Sequence, residues 1–273
     1  MKWHPKCNMG VMKALLASLL LLSALSIPSL SRAETTPLQE MIGRANDQVS
    51  KFVEQFSDVK CTEHVMQEKF KADGKVELKE ESTYDYLVIL TNAGGEISLD
   101  ESRLAVHEQK KDQKKNVSML VSNGFATLFL VFHPYYSSGF EFTDLGEDTV
   151  NGHKFHKVQF KHIAGMRSPA ALALRGREYP LDLAGVAWID PETGVIGKID
   201  AGLGTSMEDI GLKSMHSEVQ FQPVPFKNVK DVYWFPAQAS VEVETPRQHW
   251  RNTHNFTDYK QFSVSTEEKV ASK

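Results

Sequence analysis

Apolar side chains recur at three- and four-residue steps from Leu38 onward. Leu38, Met41, Ile42, Ala45, Val49, Phe52, Val53 and Phe56 fall on one stripe, which predicts an amphipathic helix with one covered face. Thr36 as N-cap, Pro37 in the first turn and Gln39 at the third helical position place its start. It ends near Ser57 and must lie on something.

The period then changes to two. Lys60–Phe70 and Val76–Leu90 flank Ala72-Asp73-Gly74-Lys75, and Asp-Gly between two such runs predicts a hairpin. A third strand comes next around Ile97–His107, then a lysine-rich loop holding Lys110, Lys111, Lys114 and Lys115. Phe140–Leu145 and Lys154–His162 flank a turn at Asp148–Gly152, and a short strand fits Ala171–Arg175 in an irregular connection. Leu183–Ile189 and Val195–Ala201 flank Asp190-Pro191-Glu192-Thr193-Gly194, with Pro and Gly in the order a tight turn favours. Met215, Val219 and Phe221 alternate with His216, Glu218, Gln220 and Gln222, and Ala237, Ala239, Val241 and Val243 alternate with polar residues. That alternation predicts antiparallel strands with one wet and one covered face. A last strand fits Asn255–Val264, and the residues beyond it read as a polar tail.

Residues 116–134 differ from their surroundings. Phe125, Ala126, Leu128, Phe129, Leu130, Val131 and Phe132 leave only Thr127 polar, and Pro134 stops the run. We read a helix over 118–133, apolar on nearly all sides and therefore covered on both faces, with a long buried strand as the alternative. The fold class is mainly β (α+β): about ten strands at meander spacing in a single curved antiparallel sheet, an unclosed β-barrel with helices on the concave side.

Residues 1–33 stand apart. A short basic stretch, fourteen mostly apolar residues from Ala14 to Ile27, Pro28 and then Ser31-Arg32-Ala33 have the layout of a secretory signal peptide. The apolar run falls short of the about 20 residues a membrane span needs. Residues 34–273 are expected to form one domain, exported to the periplasm or outside the cell, with no stable membrane insertion. Removing Lys2, Lys6, Lys13 and Arg32 takes the net charge from −4 to −8, which argues against nucleic acid as partner, since phosphate binding needs a basic face. Cys7 leaves with the leader, so Cys61 remains alone and is read as a buried thiol on a strand.

The motifs Val186-Ala187-Trp188-Ile189-Asp190 with Thr193-Gly194 and Lys198, Trp234-Phe235-Pro236, and Tyr259-Lys260-Gln261-Phe262 carry a resemblance. Together with the leader, the first helix and the long meander, they resemble the periplasmic half-barrel superfamily of LolA/LolB lipoprotein carriers and RseB/MucB envelope-stress regulators. The resemblance spans most of residues 36–264. It implies an unclosed barrel that binds acyl chains on its concave face under a helical lid. The chain is longer than the carriers and shorter than the two-domain regulator, and lipid-contacting positions in that superfamily follow no motif, so none is carried over.

No P-loop, dinucleotide fingerprint, paired-cysteine zinc site, His-Glu-x-x-His or Gly-x-Ser-x-Gly occurs in the sequence. His156 and His162 share a strand face but lie roughly 20 Å apart, too far for one metal. No catalytic residue, metal site or cofactor is assigned. Phe125, Leu128, Phe129 and Phe132, with Trp188 and Trp234 as walls, are the candidate ligand-binding residues. The first reading is a non-enzymatic binding protein whose partner is a lipid or an acylated protein. The second is a sensor or adaptor that binds another envelope protein. The third is a hydrolase built on His249, His254 and Asp258. An enclosed apolar cavity of several hundred Å³ would favour the first; a filled interior with an exposed apolar patch would favour the second.

Overall fold

The computed structural model describes residues 35–93, 96–106, 128–174, 177–227 and 232–261. The expected leader, the lysine-rich loop and Phe125 lie outside them, as does the tail. The chain divides into two units, Met1–Thr36 and Pro37–Lys273. The second unit holds every helix and strand among the described residues.

Helix α1 runs over Pro37–Ser57 and buries Met41, Ala45, Val49, Phe52, Val53 and Phe56, the stripe read from the sequence. It leads into β1 (Val59–Phe70) and β2 (Val76–Ala93). Their turn closes with Lys71 N donating to Lys75 O and with Gly74 at φ +80°. Then come β3 (Glu96–Ala105), a 3-10 turn at Phe129–Phe132, helix α2 (Pro134–Ser137), β4 (Phe140–Val150) and β5 (His153–His162). After these lie β6 (Ala171–Leu174), β7 (Arg177–Pro180), β8 (Leu183–Ile189), β9 (Ile196–Leu203), β10 (Ser214–Pro225), β11 (Val232–Glu244) and β12 (His249–Gln261).

Ten strands make one antiparallel sheet in the order β3-β2-β1-β12-β11-β10-β9-β8-β5-β4. The edge strands β3 and β4 are not paired with each other, so the sheet is not closed into a barrel. The fold is mostly β with few helices. Its inward side chains, the buried face of α1 and residues 128–132 form one apolar cluster, which includes Tyr86, Phe160, Phe221, Phe235 and Phe256.

Four details depart from the sequence reading. The connection before β8 holds two strands, β6 and β7, in a separate two-stranded sheet. β4 runs five residues past Leu145, because a bulge between Asp144 and Glu147 absorbs Gly146 at φ +90° and pairing resumes to Val150. β12 starts at His249, ahead of the expected Asn255, so the stretch around Trp250 is strand. In the described part of the expected helix 118–133, Leu128 is helical and Phe129–Phe132 tighten to a 3-10 turn, with α2 beginning after a break at His133 (φ −76°, ψ 138°). Pro134 causes that break, since the residue before a proline is pushed out of the helical region.

Two connections fix α1 on the sheet. In the β8–β9 turn, the Asp190 carboxylate accepts from Glu192 N (2.8 Å) and Thr193 N (3.0 Å), and Gly194 takes φ +75°. A Cβ on Gly194 would fall on the backbone of Arg44 and 2.7 Å from Ala45 N, so helix and turn touch main chain to main chain. Arg44 Nε adds a hydrogen bond to Pro191 O at 2.7 Å.

Candidate functional site

Phe52 stands at the centre of the covered interior. Its ring meets Phe129 edge-on (4.5 Å, 76°) and lies 5.7 Å from Phe235 and 6.1 Å from Phe221. Phe132 continues the stack to Phe142 (5.4 Å) and Phe160 (5.9 Å). Leu128, Phe129, Leu130, Val131 and Phe132 are all buried. Leu128–Phe132, the described part of the apolar run, is therefore covered on every side, as a polar-free turn requires.

Where α1 meets β9–β11, a cleft opens between Val49, Phe52, Phe129, Ile196, Phe221 and Trp234. Its free volume is about 20 Å³, room for one water. Small-molecule sites typically measure about 300–1,000 Å³, so this cleft alone does not hold an acyl chain in this conformation. An apolar ligand enters here only in exchange for side chains of the cover.

The expected binding residues divide. Leu128, Phe129 and Phe132 meet in the interior, and Trp234 stands half-buried at the mouth of the cleft. Trp188 is on the other face of the sheet. Ala187 and Ile189 point inward, while the Trp188 indole donates to Asp148 Oδ2 (2.9 Å) and lies under Lys198 Nζ (4.9 Å) and Lys157 Nζ (5.5 Å). Strand alternation alone carries this correction.

The histidines do not converge. His249 Nε2 pairs with Glu242 (2.6 Å), His254 Nδ1 with Glu63 (2.8 Å), His216 Nε2 with Asp200 (2.7 Å) and His162 Nδ1 with Asp182 (2.9 Å). His249 and His254 stand on opposite faces of β12, which separates them from a common site with Asp258. Among the described residues no group of three His, Cys, Asp or Glu side chains could hold a metal ion, and no helix is long and apolar enough to cross a membrane.

One cluster has no counterpart in the sequence reading. Glu63 on β1 is wholly buried on the concave face, where Arg103 Nε (2.6 Å), Arg103 Nη2 (2.9 Å) and His254 Nδ1 (2.8 Å) donate to its carboxylate. Arg103 also donates to Glu101 (2.7 Å), and its guanidinium lies 5.1 Å from the centre of the Tyr86 ring. Burial pushes the Glu63 carboxyl up, but the bonds from His254 and Arg103 outweigh it and hold it below the usual carboxylate range. The ion pairs tie edge strand β3 to β1 and β12 across β2. Glu63 alternates in phase with Cys61 and Val65, so its burial is readable from the strand period. Burial also pushes the neighbouring Cys61 thiol up to about 12 despite a hydrogen bond with Tyr259, which leaves it an inert core side chain.

No family model and no curated protein matches the chain. Among solved structures it is similar to a DUF1329 family protein from Desulfovibrio piger, at 13% identity over 85% of this chain and 96% of that one, with a TM-score of 0.43. It is also similar to a putative outer membrane lipoprotein-sorting protein domain from Vibrio parahaemolyticus, at 10% identity over 83% and 94% of the two chains and a TM-score of 0.40. The Pseudomonas aeruginosa MucA/MucB complex is similar at 10% identity over 81% and 99%, with a TM-score of 0.19.

Proposed function

We propose that the chain is an exported, non-enzymatic binding protein that holds an acyl chain, free or as part of a lipoprotein, on the concave face beneath α1 and residues 128–132. One observation carries this reading: the inner face of the ten-stranded sheet is largely apolar, and among the described residues it is packed against helix α1 and the turn at 128–132 and not against the strands of a facing sheet. Strands are bound to a sheet by ladders of backbone hydrogen bonds. A helix lying on apolar side chains is held mainly by dispersion and burial, which an acyl chain can replace.

The ligand enters at Trp234 and takes the space of Phe52 and Phe129 as the cover shifts. Burying an acyl chain is worth about 0.8 kcal/mol per CH₂, so ten to twelve carbons gain roughly 8–10 kcal/mol before ordering and displacement costs. That suffices for a carrier without a catalytic group. Residues 1–33 direct export and are removed.

Native mass spectrometry of the protein purified from its own cell envelope tests the reading, together with displacement of the apolar fluorophore phenylnaphthylamine by dodecanoate and by dodecanol. Bound lipid and competition by both are expected. Absence of lipid together with no competition rejects the carrier.

A second reading is an adaptor for another envelope protein. Ile89 and Leu104 are exposed on the outer face of the β2–β3 pair, Leu104 to 64%, and a protein partner would cover them.

A further inference from the structure

Trp234 lines a second space besides the apolar cleft. On its other side a groove of about 350 Å³ runs between the β4–β5 hairpin and the β8–β9 turn, walled by Glu147, His153, Lys154, His156 and Glu192. The indole meets His153 edge-on at 5.6 Å and Phe155 at 6.2 Å, so it forms the partition between an apolar and a polar compartment. A ligand with a chain on one side of Trp234 and a headgroup on the other would use both.

The charges of the groove select the headgroup. Three carboxylates, Glu147, Asp190 and Glu192, face one ammonium, Lys154. The Asp190 carboxylate is occupied by two backbone N–H groups of its own turn. His156 Nδ1 lies 3.3 Å from Asp144, a fourth acid beside the groove. Among the described residues neither Glu147 nor Glu192 takes part in an ion pair. Both are exposed to the groove, and a cation there meets two carboxylates and an aromatic wall, the pairing that ammonium groups favour.

We propose that the groove is the headgroup subsite of the same ligand, and that the protein selects a long-chain amphiphile with an ammonium head over one with an anionic head. The inference rests on the carrier reading and adds to it the class of headgroup. A chain entering at Val49 and Phe52 leaves its head over Trp234, between Glu147 and Glu192.

Displacement of phenylnaphthylamine by dodecylamine, dodecanol and dodecanoate, each below its micelle-forming concentration, tests it. Dodecylamine should displace the probe at about tenfold lower concentration than dodecanoate, with dodecanol between them. In the double variant Glu147→Gln, Glu192→Gln the ratio should fall to within about twofold, while Glu80→Gln, exposed on β2 and not among the groove residues, keeps the ratio of the unmodified chain. Equal displacement by all three amphiphiles overturns the headgroup subsite and leaves the carrier standing. A preference for dodecanoate also overturns it. Displacement by none of them rejects the carrier reading itself.

Discussion

The Tyr136 hydroxyl donates a hydrogen bond of 3.1 Å to the backbone carbonyl of Ile97. Tyr136 belongs to α2, just ahead of the edge strand β4, and Ile97 lies on the opposite edge strand β3. A single phenol thus joins the helical cover to the edge that the sheet leaves unpaired. Among the described residues the two edge strands share no ladder, and this hydrogen bond links the segment ahead of β4 to β3.

Tyr136→Phe removes this bridge and keeps the ring. We expect a loss of about 1 kcal/mol in denaturant unfolding and faster hydrogen exchange at the amides of β3, with those of β10 unchanged. Uniform acceleration over both strands would mean that the bond serves global stability only.

Gly194 and Gly165 separate backbone strain from close approach. Both have positive φ, +75° and +82°, but a Cβ at Gly165 meets nothing within 4 Å, whereas at Gly194 it falls on the α1 backbone. Gly165→Ala should cost about 1–2 kcal/mol, the ordinary cost of a left-handed residue. Gly194→Ala should cost clearly more and raise exchange along α1. Equal losses would show that the helix does not rest on the turn.

The Glu63 cluster makes stability depend on acid. A carboxyl held below its ordinary value of about 4.3 stabilises the fold above that pH, and the contribution is lost as pH falls through the lowered value. The melting temperature should therefore drop as pH is taken from about 5 toward 3, and this slope should be shallower in Glu63→Gln. At neutral pH the same variant leaves Arg103 short of its partner and should lose about 3–5 kcal/mol. An unchanged slope would assign the acid sensitivity to other carboxylates.

How much of the molecule is legible in its sequence depends on the range of each signal. The α1 stripe is local and helical, and Met41 through Phe56 bury as their spacing requires. Alternation along β10 and β11 is local too, and it places Val219 and Ala239 inside. The pairing of Glu63 with Arg103 and His254 joins three strands separated by long stretches of chain, and no local period encodes it. Phe129–Phe132 lacks polar residues, so periodicity does not separate helix from strand there; Pro134 and the extended His133 decide where it breaks. Trp188 has the size of a pocket wall, which makes it a misleading candidate, although its own neighbours Ala187 and Ile189 fix it on the outer face.

Whether an acyl chain enters beneath α1 is measured most directly at Trp234. With Trp188 and Trp250 replaced by phenylalanine and Trp3 lying in the leader that is removed, Trp234 is the remaining emitter among the four tryptophans, and a neutral chain brominated beside its hydroxyl, such as 2-bromododecan-1-ol, quenches by contact. The expected result is saturable quenching that unbrominated dodecanol reverses. No quenching, with phenylnaphthylamine also left in place, would contradict a ligand in the interior and leave the sheet and its cover as a permanently packed core.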